Sequence, residues 1–217
     1  MAGGVVRYVP LSSPADGDTA TSSLGDWTLD VDKLKSIFNS KTPMLVLNSP
    51  HNPVRKVFST DELSAIGKLC VEHNTIIIAD DVYDRLTYVP AKLMATLSPE
   101  IWNLTLTVGS AGKTFYTTSW RIGFLIGPER LVKYVAAAHM RICYSSPNPL
   151  QEACVLYYQL AEEMGFWERS RDEMQGKTRR FVQVFDELGL PYTDPQGGYF
   201  VPANFSRLKF PAVSPLG

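Results

Sequence analysis

Met44-Leu45-Val46-Leu47 and Thr75-Ile76-Ile77-Ile78-Ala79 are short apolar runs, and the segment between them carries the marks of a helix. Ser59-Thr60-Asp61-Glu62 has capping-box spacing, with Ser59 placed to accept from the Glu62 backbone N–H, and Leu63, Ile66, Leu69 and Cys70 follow on one side. The β-branched second run suits a strand covered on both faces. Strand, helix and strand in that order make a parallel crossover unit, which commits the chain to an α/β fold on a mostly parallel sheet. Leu104–Val108 and Ile122–Ile126 add strands on either side of the loop from Ser110 to Arg121. Glu129 to about Met140 and Gln151 to about Leu188 read as helical, and the Ser- and Pro-rich stretch from Ile142 to Leu150 separates them.

Upstream of this unit, Val5–Leu11 reads as an interior strand, Leu11–Gly25 as a Ser/Pro/Asp/Gly/Thr loop, and Asp30 as the cap of a helix carrying Leu34, Ile37 and Phe38. Downstream, Gly189 ends the long helix and Gly197-Gly198-Tyr199-Phe200-Val201 begins another strand. The expected division is a large domain over residues 1–170 and the start of a smaller α+β C-terminal domain over 171–217. With 217 residues, 45% of them apolar, the chain can bury a substantial core, and a net charge of -1 gives no electrostatic case for nucleic acid or an acidic membrane. Cys70, Cys143 and Cys154 are odd in number and lack Cys-x-x-Cys spacing, which argues against a disulfide framework and fits a reducing compartment. His51, His73 and His139 are scattered, so no metal site is expected. The N-terminal residues lack a signal-peptide or transit-peptide pattern, and the chain reads as soluble and cytoplasmic.

In open α/β sheets ligands lie beyond the carboxyl ends of the strands, and Asn52, Asp80 and the Ser110/Lys113 pair each follow such an end. Singly these are ordinary residues: a turn former, a helix cap, a solvated lysine. Together with Tyr83 and Arg121 they offer an amine, an acid, a phenol, a hydroxyl and a cation. Those are the groups that pyridoxal 5'-phosphate takes from a protein for its aldehyde, ring nitrogen, phenolic oxygen and phosphate.

The segments Asn48-Ser49-Pro50-His51-Asn52-Pro53, Lys56-Val57-Phe58-Ser59, Asp80-Asp81-Val82-Tyr83, Ser110-Ala111-Gly112-Lys113-Thr114-Phe115, Trp120-Arg121-Ile122-Gly123 and Gln196-Gly197-Gly198-Tyr199-Phe200 occur in one order. With these the chain resembles the class I/II, fold-type I pyridoxal-phosphate aminotransferases, most closely the kynurenine aminotransferase/cysteine-conjugate β-lyase branch. The resemblance implies that Lys113 binds the cofactor aldehyde and moves the α-proton, and that Asp80 pairs with the pyridine nitrogen. It implies that Asn52 and Tyr83 reach the phenolic oxygen and that Ser110 and Arg121 hold the phosphate. It further implies transamination between a kynurenine-type aromatic or sulfur-containing amino acid and a 2-oxo acid, in a homodimer. The location would be cytoplasmic, or mitochondrial if a preceding segment carried a transit peptide.

Two departures accompany the resemblance. Arg55 stands where the family usually has glycine; at a turn needing φ > 0 an arginine would be strained and could displace Asn52, whereas in a different local turn it would point to solvent, the expected outcome. The resemblance also covers only the middle of the family's length, without its upstream phosphate loop and stacking aromatic or its downstream carboxylate-binding arginine, so weak turnover is expected. Two other readings follow from the residues. One is an inactive fragment or interaction protein retaining the fold, with contact sites at Phe115–Trp120 and near Ile142. The other is a P-loop nucleotide binder ending in Gly112-Lys113-Thr114, which would require glycine where this chain has Thr107.

Overall fold

The structure, a computed structural model, describes residues 3–13, 22–23 and 27–209. In chain order it opens with β1 (Leu11–Ser12), β2 (Ser22–Ser23), β3 (Thr28–Leu29), α1 (Val31–Ile37) and β4 (Met44–Asn48). Next come α2 (Thr60–Glu72), β5 (Ile76–Asp80), α3 (Pro99–Leu104), β6 (Thr105–Ser110), α4 (Ala111–Thr114) and β7 (Gly123–Ile126). The chain continues through α5 (Glu129–Ile142), α6 (Asn148–Glu163), α7 (Phe166–Leu188) and β8 (Thr193–Asp194). No helix among the described residues is long and apolar enough to cross a membrane.

The crossover unit forms as its sequence dictates. Ser59 Oγ accepts from Glu62 N–H at 3.1 Å, and the Glu62 carboxylate accepts from Ser59 N–H at 2.8 Å, so two amides at the start of α2 are satisfied reciprocally. The helix then lays Leu63, Ile66, Leu69 and Cys70 onto Leu47, Ile77 and Ala79, with Leu34, Phe38, Phe58, Met94 and Ile101 completing the core. Ile77 and Ala79 are fully buried, and a buried Leu or Ile contributes about 1.5–3 kcal/mol relative to exposure. This packing anchors the C-terminal end of β5.

The sheet runs in the order β4-β5-β6-β7. The first two pairings are parallel, matching Asn48 with Asp80 and Asp80 with Val108, so the ends of β4, β5 and β6 open on the same side. The last is antiparallel and pairs Ser110 with Gly123. The sheet is therefore mixed, with its parallel part under the candidate residues.

Three expected elements differ. Val5–Leu11 is not a strand: only Leu11–Ser12 pairs, with Thr28–Leu29, and although Val9 and Leu11 pack against the core, Val5, Val6 and Tyr8 are 82%, 69% and 84% exposed. Most of the Leu11–Gly25 loop lies outside the described residues. The helix expected from Gln151 to Leu188 is two helices, α6 and α7, because Gly165 adopts a left-handed φ of 57° between them. Gly197–Val201 is a turn, not a strand, joined to Thr87 by a single bridge.

Candidate active site

β5 delivers Asp80 and β6 delivers Ser110 to the same edge, and α4 starts directly after Ser110, which places Lys113 on its single turn. The Ser110 hydroxyl does not cap that turn. Gly112 lets the Thr118 backbone pack closely against the turn, since a Cβ there would stand 3.2 Å from Thr118 Cα and 3.4 Å from Ser110 Oγ. Thr107 lies inside β6 and α4 is one turn long, so neither the glycine loop nor the long helix of a nucleotide-phosphate site is present here.

The Lys113 ammonium lies 5.9 Å from the Tyr83 ring centre and 5.8 Å from that of Tyr199. Tyr83 is buried, meets Tyr199 edge-on at 5.4 Å, and is electrostatically coupled to the Tyr199 phenol. Desolvation first, and Tyr199 second, push the Tyr83 phenol above its usual value, while Lys113 draws it back. Asp80 is raised by burial and pulled down by the Val82 N–H and by the charge of Lys113. Its neighbour Asp81 occupies a different environment. It is 5% exposed, one carboxylate oxygen has no partner, and burial, then Asp84, then Asp80 raise it to about 7. Successive strand residues face opposite ways, and here Asp80 is the one coupled to Lys113.

Asn52 reaches this edge on a turn that contains two cis peptide bonds, Ser49-Pro50 and Asn52-Pro53. Asn48 holds it there: its side-chain amide donates to Asp80 O at 2.8 Å and its oxygen accepts from Asn52 N–H at 2.6 Å. The Asn52 side chain itself is exposed. Arg121 is likewise exposed, at a left-handed φ of 56°, and its guanidinium donates to Thr118 O at 3.2 Å. It stands two positions before Gly123, the partner of Ser110, so both ends of the loop meet at Ser110. Asp80, Tyr83 and Lys113 are thus in direct mutual contact or coupling, while Ser110, Arg121 and Asn52 are brought to the edge by their backbones.

Sequence reasoning assigned no role to Tyr199 or Asn48. Tyr199 lay in a recognised motif, and its place over Lys113 depends on a turn that was expected to be a strand. Asn48 carried a readable signal, an amide side chain at a strand end four residues before Asn52. The expectation that Arg55 adopts a different local turn and points to solvent is overturned. Its φ is 67°, as feared for a glycine position, but its side chain does not point to solvent: it is 1% exposed, with the guanidinium donating to the carbonyls of Gly197 and Gly198. Solvent exposure lost because those carbonyls offer hydrogen bonds across the turn. In the Phe115–Trp120 segment Tyr116, Thr118 and Ser119 are exposed, whereas Phe115 packs on Tyr157, Tyr158, Phe166 and Trp167 at 4.7–5.6 Å and pins α4 to α6 and α7.

Residues 1–213 match the family model for aminotransferase class I and II. The chain belongs to that family. It is 46% identical over 217 residues to the Saccharomyces cerevisiae protein named probable kynurenine--oxoglutarate transaminase BNA3, covering 99% of this chain and 49% of the relative. It is 39% identical over 215 residues to human kynurenine--oxoglutarate transaminase 3, covering 96% and 47%. The crystal structure of yeast Bna3p superposes with a TM-score of 0.93 at 47% identity over 97% of this chain and 50% of that one. A Thermus thermophilus aspartate aminotransferase mutant matches with a TM-score of 0.83 at 28% identity, over 96% and 52%. The chain spans about half the length of the curated relatives it matches. Class I and II aminotransferases depend on pyridoxal phosphate, and the edge described above fits that group. Lys113 is in no ion pair among the described residues, an acid is coupled to it, and the Ser110 hydroxyl, which caps no helix, precedes its turn.

Proposed function

We propose that this aminotransferase-family chain holds pyridoxal phosphate at the ends of β5 and β6 and serves transamination between a kynurenine-type amino acid and a 2-oxo acid. The observation that carries the reading is the coupling of Asp80 to a Lys113 amine flanked by Tyr83 and Tyr199. When bound, pyridoxal phosphate supplies an electron sink for negative charge developing at the substrate α-carbon. Lys113 provides the amine for the cofactor aldehyde and a base that carries the α-proton. Asp80 provides a carboxylate for the ring nitrogen, and the burial that raises its proton affinity is countered in part by the Val82 N–H and by Lys113. Tyr83 and Asn52 offer hydrogen bonds to the phenolic oxygen, while the Ser110 hydroxyl and the Arg121 guanidinium hold the phosphate. The names of the yeast and human relatives support the kynurenine and 2-oxoglutarate pair.

Incubation of residues 1–217 with pyridoxal phosphate, borohydride reduction and peptide mapping tests the binding. The pyridoxyl label is expected on Lys113 and absent in Lys113→Ala; label on another lysine refutes the assignment. Kynurenine with 2-oxoglutarate then tests the activity, and slow turnover by this chain alone is expected, because substrate orientation in an aminotransferase draws on more than these residues.

A further inference from the structure

Among the described residues Arg55 is the largest side chain that the fold buries completely, and no carboxylate among them lies within ion-pair distance of it. A buried cation persists only where hydrogen bonds replace its water. Here backbone oxygens do so for Nε and Nη2, while Nη1 has no hydrogen-bond partner among the described residues. Nε donates to Gly197 O and Nη2 to Gly198 O, Nη2 also lies 3.4 Å from the Tyr88 hydroxyl, and that hydroxyl donates to Gly198 O at 2.8 Å. The backbone N–H of Arg55 donates to His51 O, so the residue closes its own turn while its side chain crosses to residues 196–198.

The crossing lands on the peptide groups that lead into Tyr199. On their other side residues 196–198 are held by Val57 N–H to Gln196 Oε1 at 3.0 Å, Tyr88 N–H to Gln196 O at 2.8 Å and Gly198 N–H to Leu86 O at 2.7 Å. The space is tight, because a Cβ on Gly197 would meet Leu86 O at 2.7 Å and Pro50 Cγ at 3.0 Å. Those contacts fix where the turn lies. The two carbonyls, and with them the direction in which the chain leaves Gly198 at φ 65°, are set by Arg55 and Tyr88. The next residue is Tyr199, which stands 5.8 Å from the Lys113 ammonium and edge-on to Tyr83.

We propose that Arg55 is a positioning residue: by gripping the Gly197 and Gly198 carbonyls it holds Tyr199 over Lys113 and shields that amine. The inference rests on Lys113 being the reactive amine of the site, and it adds a control of that amine's access by a residue on the Asn52 turn.

Reductive methylation of the cofactor-free 217-residue chain with formaldehyde, followed by peptide mass spectrometry, reads the Lys113 rate against exposed Lys41, Lys68 and Lys133. Glycine accepts a φ of 67°, so Arg55→Gly suits the backbone of the turn and removes the grip together with the buried side chain's packing on Tyr88. It is expected to raise the Lys113 rate about threefold or more relative to the reference lysines. Arg55→Lys, which keeps the charge but lacks the two-pronged donor, is a second variant expected to act in the same direction. Tyr199→Ala is expected to raise the rate as well, and Arg55→Gly combined with Tyr199→Ala to add nothing further. An unchanged Lys113 rate in Arg55→Gly, an unchanged rate in Tyr199→Ala, additive effects, or a rise shared by all lysines would each overturn the proposal. None of these readings uses pyridoxal phosphate, so a failure of the borohydride mapping is separately visible.

Discussion

Asp80 and Ser110 end strands that have a paired neighbour on each side, whereas Asn52, Arg55 and Arg121 sit on turns, two of them with left-handed backbones. The strand-borne residues inherit their places from ladder hydrogen bonds and from the core beneath Ile77 and Ala79. The turn-borne residues depend on particular side chains: Asn48 for the Asn52 turn, and the reach of Arg55 to Gly197 and Gly198. Substitution should therefore act differently on the two sets. In the strand-borne set it changes the chemistry offered at a fixed point, and in the turn-borne set it moves the point itself.

The sharpest test of strand alternation is Asp81→Asn. The Asp81 carboxyl rises from its ordinary 3.8 to about 7 in the folded chain, so the native state holds that proton more tightly than the unfolded state. Its contribution to stability is complete below about pH 4 and is lost as pH rises through about 7. The asparagine variant does not titrate there. In cofactor-free thermal melts it should match the parent near pH 4 and exceed it by roughly 2–4 kcal/mol above pH 8. Asp80 and Asp84, also raised by burial, titrate in both proteins. Equal stability at pH 8 would remove Asp81 from the core.

Asp80→Asn comes next. The loss of a charge-assisted hydrogen bond, worth about 1.5–3 kcal/mol, should weaken pyridoxal-phosphate binding roughly ten- to hundredfold in an absorbance titration. Asp81→Asn should change that affinity less than Asp80→Asn; the reverse order would break the assignment of the two carboxylates. The smallest effect concerns the joint between the sets. Asn48→Ala deletes a side chain that bridges Asp80 O and Asn52 N–H and should cost about 1–2 kcal/mol in urea unfolding. No change would mean that the turn keeps its place without Asn48.

The division between strands and turns also explains what could be read in the sequence. The capping box at Ser59 and the β-branched run of β5 are local signals for local structure, and they place Asp80 correctly at a strand end. Val5–Leu11 has an equally strand-like composition, but a strand exists only with a partner, and pairing is not written in one segment. Glycine was ambiguous for a related reason: Gly176 continues α7, whereas Gly165 breaks the helix by turning left-handed. For Arg55 the sequence disclosed a misfit with a glycine position, yet the destination of the side chain lay more than a hundred residues away, at Gly197 and Gly198. Tyr199 escaped assignment through the same long-range junction.

The antiparallel return of β7 alongside β6 has a mechanical consequence. Since Ser110 and Gly123 share one rung of the sheet, residues 111–122 leave and rejoin the scaffold at a single point, like a ring on one rivet. Lys113 and Arg121 both lie on that ring. A ligand that spans the two would complete a span whose ends are already joined, and its binding need supply little of the entropy that closing an open loop costs.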